Sequence, residues 1–434
     1  MLPSSPWGNN PAGLYNHPMF HPPVTAWLIA ACLGAAVLAA GCPTKPKPAD
    51  TTGTGFPAVE PGPPEVTLIT DEEYPQDWGG VIDMPGTDDP ALSLLAQRVL
   101  YPSGIDRHCD ELPYRAWEVF AERLEERIAE DESAFACWLM AQVQLRLWWC
   151  GPTDDPVYIA ADYAGRALEL APDSACALAA AALTESCLDN PDAAYEQINA
   201  AVALRPDLVF PWVIQGLIHR HNKDYTAAIE SYDRALDLNI RALVVNLYRG
   251  HAYWDLGEYE QALAAYEILA AQAPDYALGQ LNCAWVYYKL DRKDEAFSAV
   301  SRAVECHDQI SEAHRLLGTI YYERSEYEEA RRALDWALTL DPDNDNAHYY
   351  MGHYYYSSSL MGKAVDAYLR ANELSPDEPE TYCSLGQAYQ LMGDFENATA
   401  ALEKAIELSD PGYWAYDEAV ASLAEIAAAT VEPE

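Results

Sequence analysis

The chain has 434 residues, and half of them are hydrophobic, which is enough to bury a substantial core. Its 26 Lys and Arg stand against 68 Asp and Glu, so the formal net charge is −42 at pH 7. Such a surface repels phosphate backbones and anionic lipid headgroups, which argues against a nucleic-acid-binding function. The same charge would attract a basic partner, or it would simply keep a long protein soluble. Composition does not decide between these two readings.

The N-terminus combines an apolar run with a cysteine. Residues 24–41 contain no charged side chain, and Cys42 follows at once. The order LAAGC at positions 38–42 resembles a bacterial lipobox, which implies a signal peptide over residues 1–41 and a lipid-anchored, palmitate-bearing Cys42. Each buried CH₂ of such an acyl chain adds ~0.8 kcal/mol of membrane affinity. Pro43 follows the cysteine in place of Asp, which by the same resemblance implies the periplasmic side of the outer membrane.

Two other readings of this run stay open. The lead before it carries no Lys or Arg, although signal peptides normally begin with positive charge. The run is also long enough for a short transmembrane helix, and Lys45 and Lys47 after it would then favour a cytoplasmic C-terminus. The third reading is ordinary secretory cleavage without a lipid.

The segments after Cys42 differ in composition. Residues 42–65 are rich in Pro, Gly and Thr, which predicts a tether that does not pack. In residues 66–134 we expect an irregular stretch followed by N-terminal capping helices, with helical apolar periodicity at 90–100 and 112–130.

A 34-residue period dominates the rest of the chain. One alanine recurs without exception on this grid: Ala160, Ala194, Ala228, Ala262, Ala296, Ala330, Ala364 and Ala398. A glycine recurs earlier in most units: Gly216, Gly250, Gly318, Gly352 and Gly386. A tyrosine follows three residues later: Tyr253, Tyr287, Tyr321, Tyr355 and Tyr389. Small residues at fixed phase let helix axes approach to about 8–10 Å, and no single unit could bury its own apolar face.

This Gly, Tyr, Ala, Ala, Pro order resembles the tetratricopeptide-repeat (TPR) family. The resemblance covers residues 135–411 in about eight units, with a C-terminal capping helix and tail over 412–434. It implies an all-α solenoid, a right-handed superhelix of antiparallel helix pairs. Near the start of a unit the family prefers Trp, and Trp212 matches, whereas His314 and His348 substitute for it.

In the family, the first helix of each unit lines a concave groove that binds a protein or peptide. Carried over by position, the predicted groove residues are Phe210, Leu217, Leu247, His251, Trp254, Leu281, Trp285, Tyr288, Tyr322, Tyr349, His353 and Tyr356. Trp, Tyr and Arg dominate binding hot spots, so such a groove suits a protein partner. The alternative is that several of these side chains pack between neighbouring helices.

The cysteines allow two interpretations. Their positions on successive first helices could let Cys137 pair with Cys176 and Cys150 pair with Cys187, as an exported protein permits. Small buried residues at tight helix contacts are the other interpretation.

No nucleophile motif, phosphate loop or paired metal signature is present, so we expect no enzyme activity, cofactor or metal. The sequence therefore predicts a membrane-tethered scaffold or adaptor in cell-envelope assembly or regulation. The second possibility is an inner-membrane-anchored regulatory scaffold that faces the cytoplasm.

Overall fold

The fold is known from a computed structural model of the whole chain. It describes residues 118, 121–122, 124–126, 128–129, 132–150, 155–238 and 243–430. The predicted signal peptide, the tether and the segment up to residue 117 lie outside the described residues.

The described residues form helices, with no β-strand among them. Their bounds are α1 Ala134–Cys150, α2 Asp155–Leu170, α3 Ala175–Cys187, α4 Pro191–Leu204, α5 Val209–His221, α6 Tyr225–Leu238, α7 Leu243–Leu256, α8 Tyr259–Gln272, α9 Ala277–Lys289, α10 Lys293–Cys306, α11 Ser311–Glu323, α12 Tyr327–Leu340, α13 Asp345–Ser357, α14 Met361–Leu374, α15 Pro379–Met392, α16 Phe395–Glu407 and α17 Trp414–Thr430. From α3 to α15, every first helix begins 34 residues after the preceding one. Positions within a repeat are therefore counted below from the first residue of that helix.

The chain divides into two compact units between Val245 and Asn246. In the first unit, α1 to α6 pack in consecutive pairs, and α3 also contacts α5. In the second unit, each first helix from α9 to α15 packs on its own second helix and on the second helix before it. This all-α arrangement of stacked helix pairs is the predicted solenoid fold.

The in-phase alanines sit where two helices touch. All eight have 0% of their surface exposed. The recurrent glycine at position 8 meets a side chain 16 residues later on the second helix. A Cβ on Gly352 would lie 2.4 Å from Cε1 of Tyr368, and one on Gly250 would lie equally close to Tyr266. A buried ring on the second helix therefore fills the space that the glycine leaves.

A left-handed residue closes each first helix from α3 to α15. Position 15 has positive φ in seven consecutive repeats: Asp189, Lys223, Gly257, Asp291, Ser325, Ser359 and Gly393. The next residue's N–H donates to the carbonyl of position 11, as from Leu360 to Tyr355 and from Glu326 to Tyr321. This is a Schellman turn, and it sets the direction in which the second helix returns.

The start of a first helix is fixed by a ring nitrogen at position 4. Trp212 Nε1 donates to the Pro206 carbonyl at 3.0 Å. His348 Nε2 lies 2.9 Å from the Pro342 carbonyl, also six residues earlier. Since the acceptor is a carbonyl, Nε2 must carry the proton. Histidine replaces tryptophan here because both rings present an N–H at the same point.

Candidate partner-binding surface

The predicted groove residues differ in exposure. Eight of the twelve are buried, all with 7% or less of their surface exposed: Phe210, Leu217, Leu247, His251, Leu281, Tyr288, Tyr349 and His353. Trp254, Trp285, Tyr322 and Tyr356 remain partly exposed. The buried members pack against neighbouring helices, as Phe210 does against Trp138 with ring centroids 5.7 Å apart. Of the predicted set, only the four partly exposed aromatic residues keep surface that a partner could reach.

All four lie in the second unit, and three of them are on the successive first helices α9, α11 and α13. Trp285 is at position 9 of α9, whereas Tyr322 and Tyr356 are both at position 12, on α11 and α13. Large aromatic rings that keep part of their surface in water supply apolar contact area with little loss of side-chain entropy.

A hydrogen bond from position 12 to position 13 of the next repeat links these helices. The Tyr288 hydroxyl donates to the Glu323 carboxylate. The Tyr322 hydroxyl lies 2.8 Å from Ser357 Oγ. Gln390 Nε2 donates to Glu425 Oε2 at 3.0 Å, and Glu425 lies 34 residues after position 13 of α15. The same side-chain hydrogen bond thus recurs between neighbouring repeats and joins the C-terminal ends of their first helices.

Trp285 carries a cation on its face. The guanidinium carbon of Arg315 lies 4.6 Å from the ring centroid. Arg315 Nε also donates to Glu312 Oε2 at 2.7 Å, and only 7% of the arginine is exposed. The chain therefore supplies its own neutralising partner for the carboxylate of Glu312.

His353 lies inside a cluster of tyrosines. Its ring centroid is 4.4 Å from that of Tyr349 and 5.8 Å from that of Tyr322. The Tyr368 hydroxyl lies 3.1 Å from its Nδ1. Burial lowers the pKa of His353 to about 3, so the ring is neutral at pH 7. This histidine is too deeply buried to contact a partner.

The cysteines near α1 and α3 are buried. Cys137, Cys176 and Cys187 are all buried. Burial raises the pKa of Cys137 to about 11 and raises that of Cys187 further. The side chain of Cys150 lies outside the described residues. The pairings Cys137–Cys176 and Cys150–Cys187 stay predictions, which a count of free thiols in the denatured, unreduced protein would test.

Over the described ranges, no group of three His, Cys, Asp or Glu side chains is arranged to bind a metal ion. None of the helices described between α1 and α17 is both long and apolar enough to cross a membrane.

Family models agree with the repeat geometry. A tetratricopeptide-repeat model matches residues 180–242 and 247–309, a TPR-repeat model matches 318–359 and 361–393, and a further tetratricopeptide-repeat model matches 379–410. The chain belongs to the tetratricopeptide-repeat family. TPR proteins generally mediate protein–protein interactions and are generally non-catalytic scaffolds.

Several solved structures are similar to this chain, and the first one below supports the TPR fold. The Cut9 and Hcn1 hetero-tetramer of the APC/C matches with a TM-score of 0.54 at 15% identity, over 77% of this chain and 63% of that one. PilF from Pseudomonas aeruginosa matches with a TM-score of 0.44 at 16% identity, over 49% of this chain and 96% of that one. YrrB, described as a TPR protein with an unusual peptide-binding site, matches with a TM-score of 0.35 at 19% identity, over 44% and 97% of the two chains. No curated protein sequence matches this chain.

Proposed function

We propose that this TPR protein is a membrane-tethered scaffold that binds a protein partner on the first-helix face of its second unit. The observation that carries the proposal is the row of partly exposed aromatic residues Trp285, Tyr322 and Tyr356 on three successive first helices. Rows of this kind suit an extended segment or a helix, because successive anchors can insert at regular intervals.

The aromatic row is tested with matched variants of the full chain as bait. We expect the triple variant Trp285→Ala, Tyr322→Ala and Tyr356→Ala to lose the proteins that the wild type retains. The control changes Ile268 and Leu369 to alanine; both are exposed apolar residues on second helices, with 40% of their surface accessible. Circular dichroism checks that both variants keep their helix content. Equal retention by wild type and triple variant would rule out the aromatic row as the binding surface.

The membrane tether rests on Cys42 behind its apolar run. We expect palmitate labelling and membrane fractionation in the wild type, and neither in Cys42→Ala. Labelling that survives this change would refute the lipoprotein. A lipid anchor would place the TPR units in the cell envelope and supports a role in envelope assembly or regulation.

One observation favours the second candidate function. Lys45 and Lys47 directly follow the apolar run, and positive charge is enriched on the cytoplasmic side of membrane spans. An inner-membrane-anchored scaffold that faces the cytoplasm would keep its membrane association in Cys42→Ala, and protease added outside the inner membrane would not digest its repeats.

A further inference from the structure

We propose that the first-helix face formed by α13, α15 and α17 docks a basic protein segment, one that places an apolar anchor beside several Lys or Arg. This inference rests on the proposed function and names the chemistry of the partner. All the residues that carry it belong to the second unit.

The first argument is an interruption in the series of hydrogen bonds between repeats. Position 12 bonds position 13 of the next repeat at Tyr288, Tyr322 and Gln390. After Tyr356, position 13 is occupied by Leu391, which has no side-chain acceptor. The Tyr356 hydroxyl thus lacks the bond that its equivalents make.

The same place exposes apolar surface. Leu391 has 59% of its surface accessible and Met392 has 52%, the largest fractions among the exposed large apolar residues of the second unit. They end α15, the first helix that follows α13, which carries Tyr356. Because Leu391 occupies the repeat position that pairs with position 12 of α13, we assign these exposed side chains and the partly exposed ring of Tyr356 to one site for an apolar anchor.

The second argument is that two carboxylates near this place are not neutralised by a cationic side chain. Gln387 Nε2 donates to Glu418 Oε1 at 3.1 Å, and Gln390 Nε2 donates to Glu425 Oε2 at 3.0 Å. These amides orient the two carboxylates and leave their charge in place. Neither Glu418 nor Glu425 forms an ion pair within the described part of the chain. Tyr356 lies close enough to Glu418 for that charge, after burial and a contribution from Tyr322, to raise the pKa of its phenol.

The surroundings reinforce this charge. From residue 371 to residue 430 the sequence has twelve Asp and Glu but a single Lys or Arg, Lys404. Lys404 Nζ is engaged by Glu407 Oε2 at 2.9 Å. Two repeats earlier, Glu312 is neutralised by Arg315 on its own helix. Toward α17 the face therefore keeps its aromatic and apolar groups, but the sequence offers almost no Lys or Arg to neutralise its carboxylates.

Charge complementarity selects the occupant. An acidic segment would be repelled, and so would a second copy of this chain, which carries the same net charge of −42. A basic segment would be drawn to the face before contact, and its apolar residues would then bury Tyr356 and Leu391.

The test uses the full chain and a fluorescent twelve-residue peptide with two adjacent leucines among Lys and Ser residues, followed by anisotropy. Two further peptides replace every Lys by Glu, or both leucines by Ser. We expect binding of the Leu/Lys peptide, at least tenfold weaker binding of the Ser/Lys peptide, and none of the Leu/Glu peptide. Glu418→Gln with Glu425→Gln should weaken binding of the Leu/Lys peptide at least tenfold, and so should Tyr356→Ala.

The matched control is Glu396→Gln with Glu403→Gln on α16, two exposed carboxylates whose loss changes the net charge equally. An equal loss of affinity in this control would show unspecific attraction to an acidic protein and would overturn the docking site, as would absence of binding to the wild type. If the peptide fails to bind while the retained proteins still depend on the aromatic row, the basic chemistry is refuted and the scaffold function stands.

Discussion

Gly352 and Tyr368 illustrate how one small residue shapes a repeat. Tyr368 is fully buried, and its hydroxyl is fixed against His353. A methyl group on Gly352 would lie 2.4 Å from the ring, which cannot rotate away. Gly352→Ala is therefore expected to lower the free energy of unfolding by about 1–3 kcal/mol, as for overpacked cores.

Urea unfolding measures this change, with Gly362→Ala as the control. A Cβ at Gly362 meets no atom within 4 Å. That substitution should be neutral or stabilising, by up to about 1 kcal/mol, because alanine favours helix. Equal destabilisation by the two variants would contradict the packing argument.

His353 predicts a dependence of stability on pH. Its pKa in the folded protein is about 3, whereas the ordinary histidine value is 6.5. Below pH 6.5 the unfolded chain binds a proton that the folded protein does not bind, so stability falls as the pH falls. By pH 5.5 this one group should cost about 1.4 kcal/mol relative to pH 7.5.

The comparison is urea unfolding of wild type and His353→Gln at pH 7.5, 6.5 and 5.5. Glutamine does not titrate but can still bond the Tyr368 hydroxyl. We expect the variant to lose about 1.4 kcal/mol less over this range. Parallel curves for the two proteins would show that His353 does not carry the effect.

Part of this residue-scale packing was predictable from sequence. The glycines stood out because they recur on the grid. Their partners at position 24 did not, because this position alternates between tyrosine and leucine: Tyr232, Tyr266 and Tyr368 in some repeats, Leu334 and Leu402 in others. Both residue types fill the same space beside the glycine. The packing therefore repeats more regularly than the residue type at position 24.

At the scale of the helix pair, the turn at position 15 is the clearest constraint. Ser325 and Ser359 adopt φ of 62° and 59° there, where a Cβ is strained. We expect Ser325→Gly and Ser359→Gly each to raise the free energy of unfolding by roughly 1 kcal/mol, since relief of strain exceeds the added entropy of the unfolded chain.

The reverse change, Gly393→Ser, should lower stability by a similar amount, because Gly393 has a φ of 76° at the same position. Thermal and urea midpoints for all three variants provide the measurement. A stabilising Gly393→Ser or a destabilising Ser359→Gly would show that the left-handed turn is not strained by a side chain.

The sequence did not reveal this turn as a conserved position of the period, since Asp, Lys, Ser and Gly all occur at it. What repeats is a backbone conformation rather than a residue type. By contrast, the sequence did show that histidine takes the place of tryptophan at position 4 in later repeats. Trp212 and His348 both bond the carbonyl six residues earlier, which explains the exchange.

At the scale of the whole molecule, excess charge of one sign opposes folding. The net charge of −42 comes from 68 carboxylates that 26 Lys and Arg cannot neutralise. Raising NaCl from 10 to 150 mM shortens the Debye length from about 30 to about 8 Å and screens this repulsion. We expect the melting temperature to rise, although exposed pairs such as Arg331–Asp335 are weakened at the same time.

Differential scanning calorimetry at the two salt concentrations measures the shift. A melting temperature that falls with added NaCl would show that attractive pairs outweigh the repulsion. Potassium chloride should act like sodium chloride, because the effect depends on ionic strength rather than on a bound ion.

The solenoid fold followed from the 34-residue period, whereas the exposure of the individual predicted groove residues did not. The family positions all lie on first helices, and their role in binding stays a prediction. They did not separate Tyr349, which is buried, from Tyr356, which stays partly exposed, because that depends on which neighbour each ring meets. The pairing of Arg315 with Trp285 was equally invisible, since it joins two repeats.

The bonds from position 12 to position 13 of the next repeat have an evolutionary consequence. They join each unit only to its neighbour, and each turn is closed within its own unit. Duplication of one 34-residue module in the gene would therefore add one more step to the face without breaking an existing contact. Under the proposed function, the length of partner that the face could contact would then change in steps of a single repeat, by recombination rather than by point mutation.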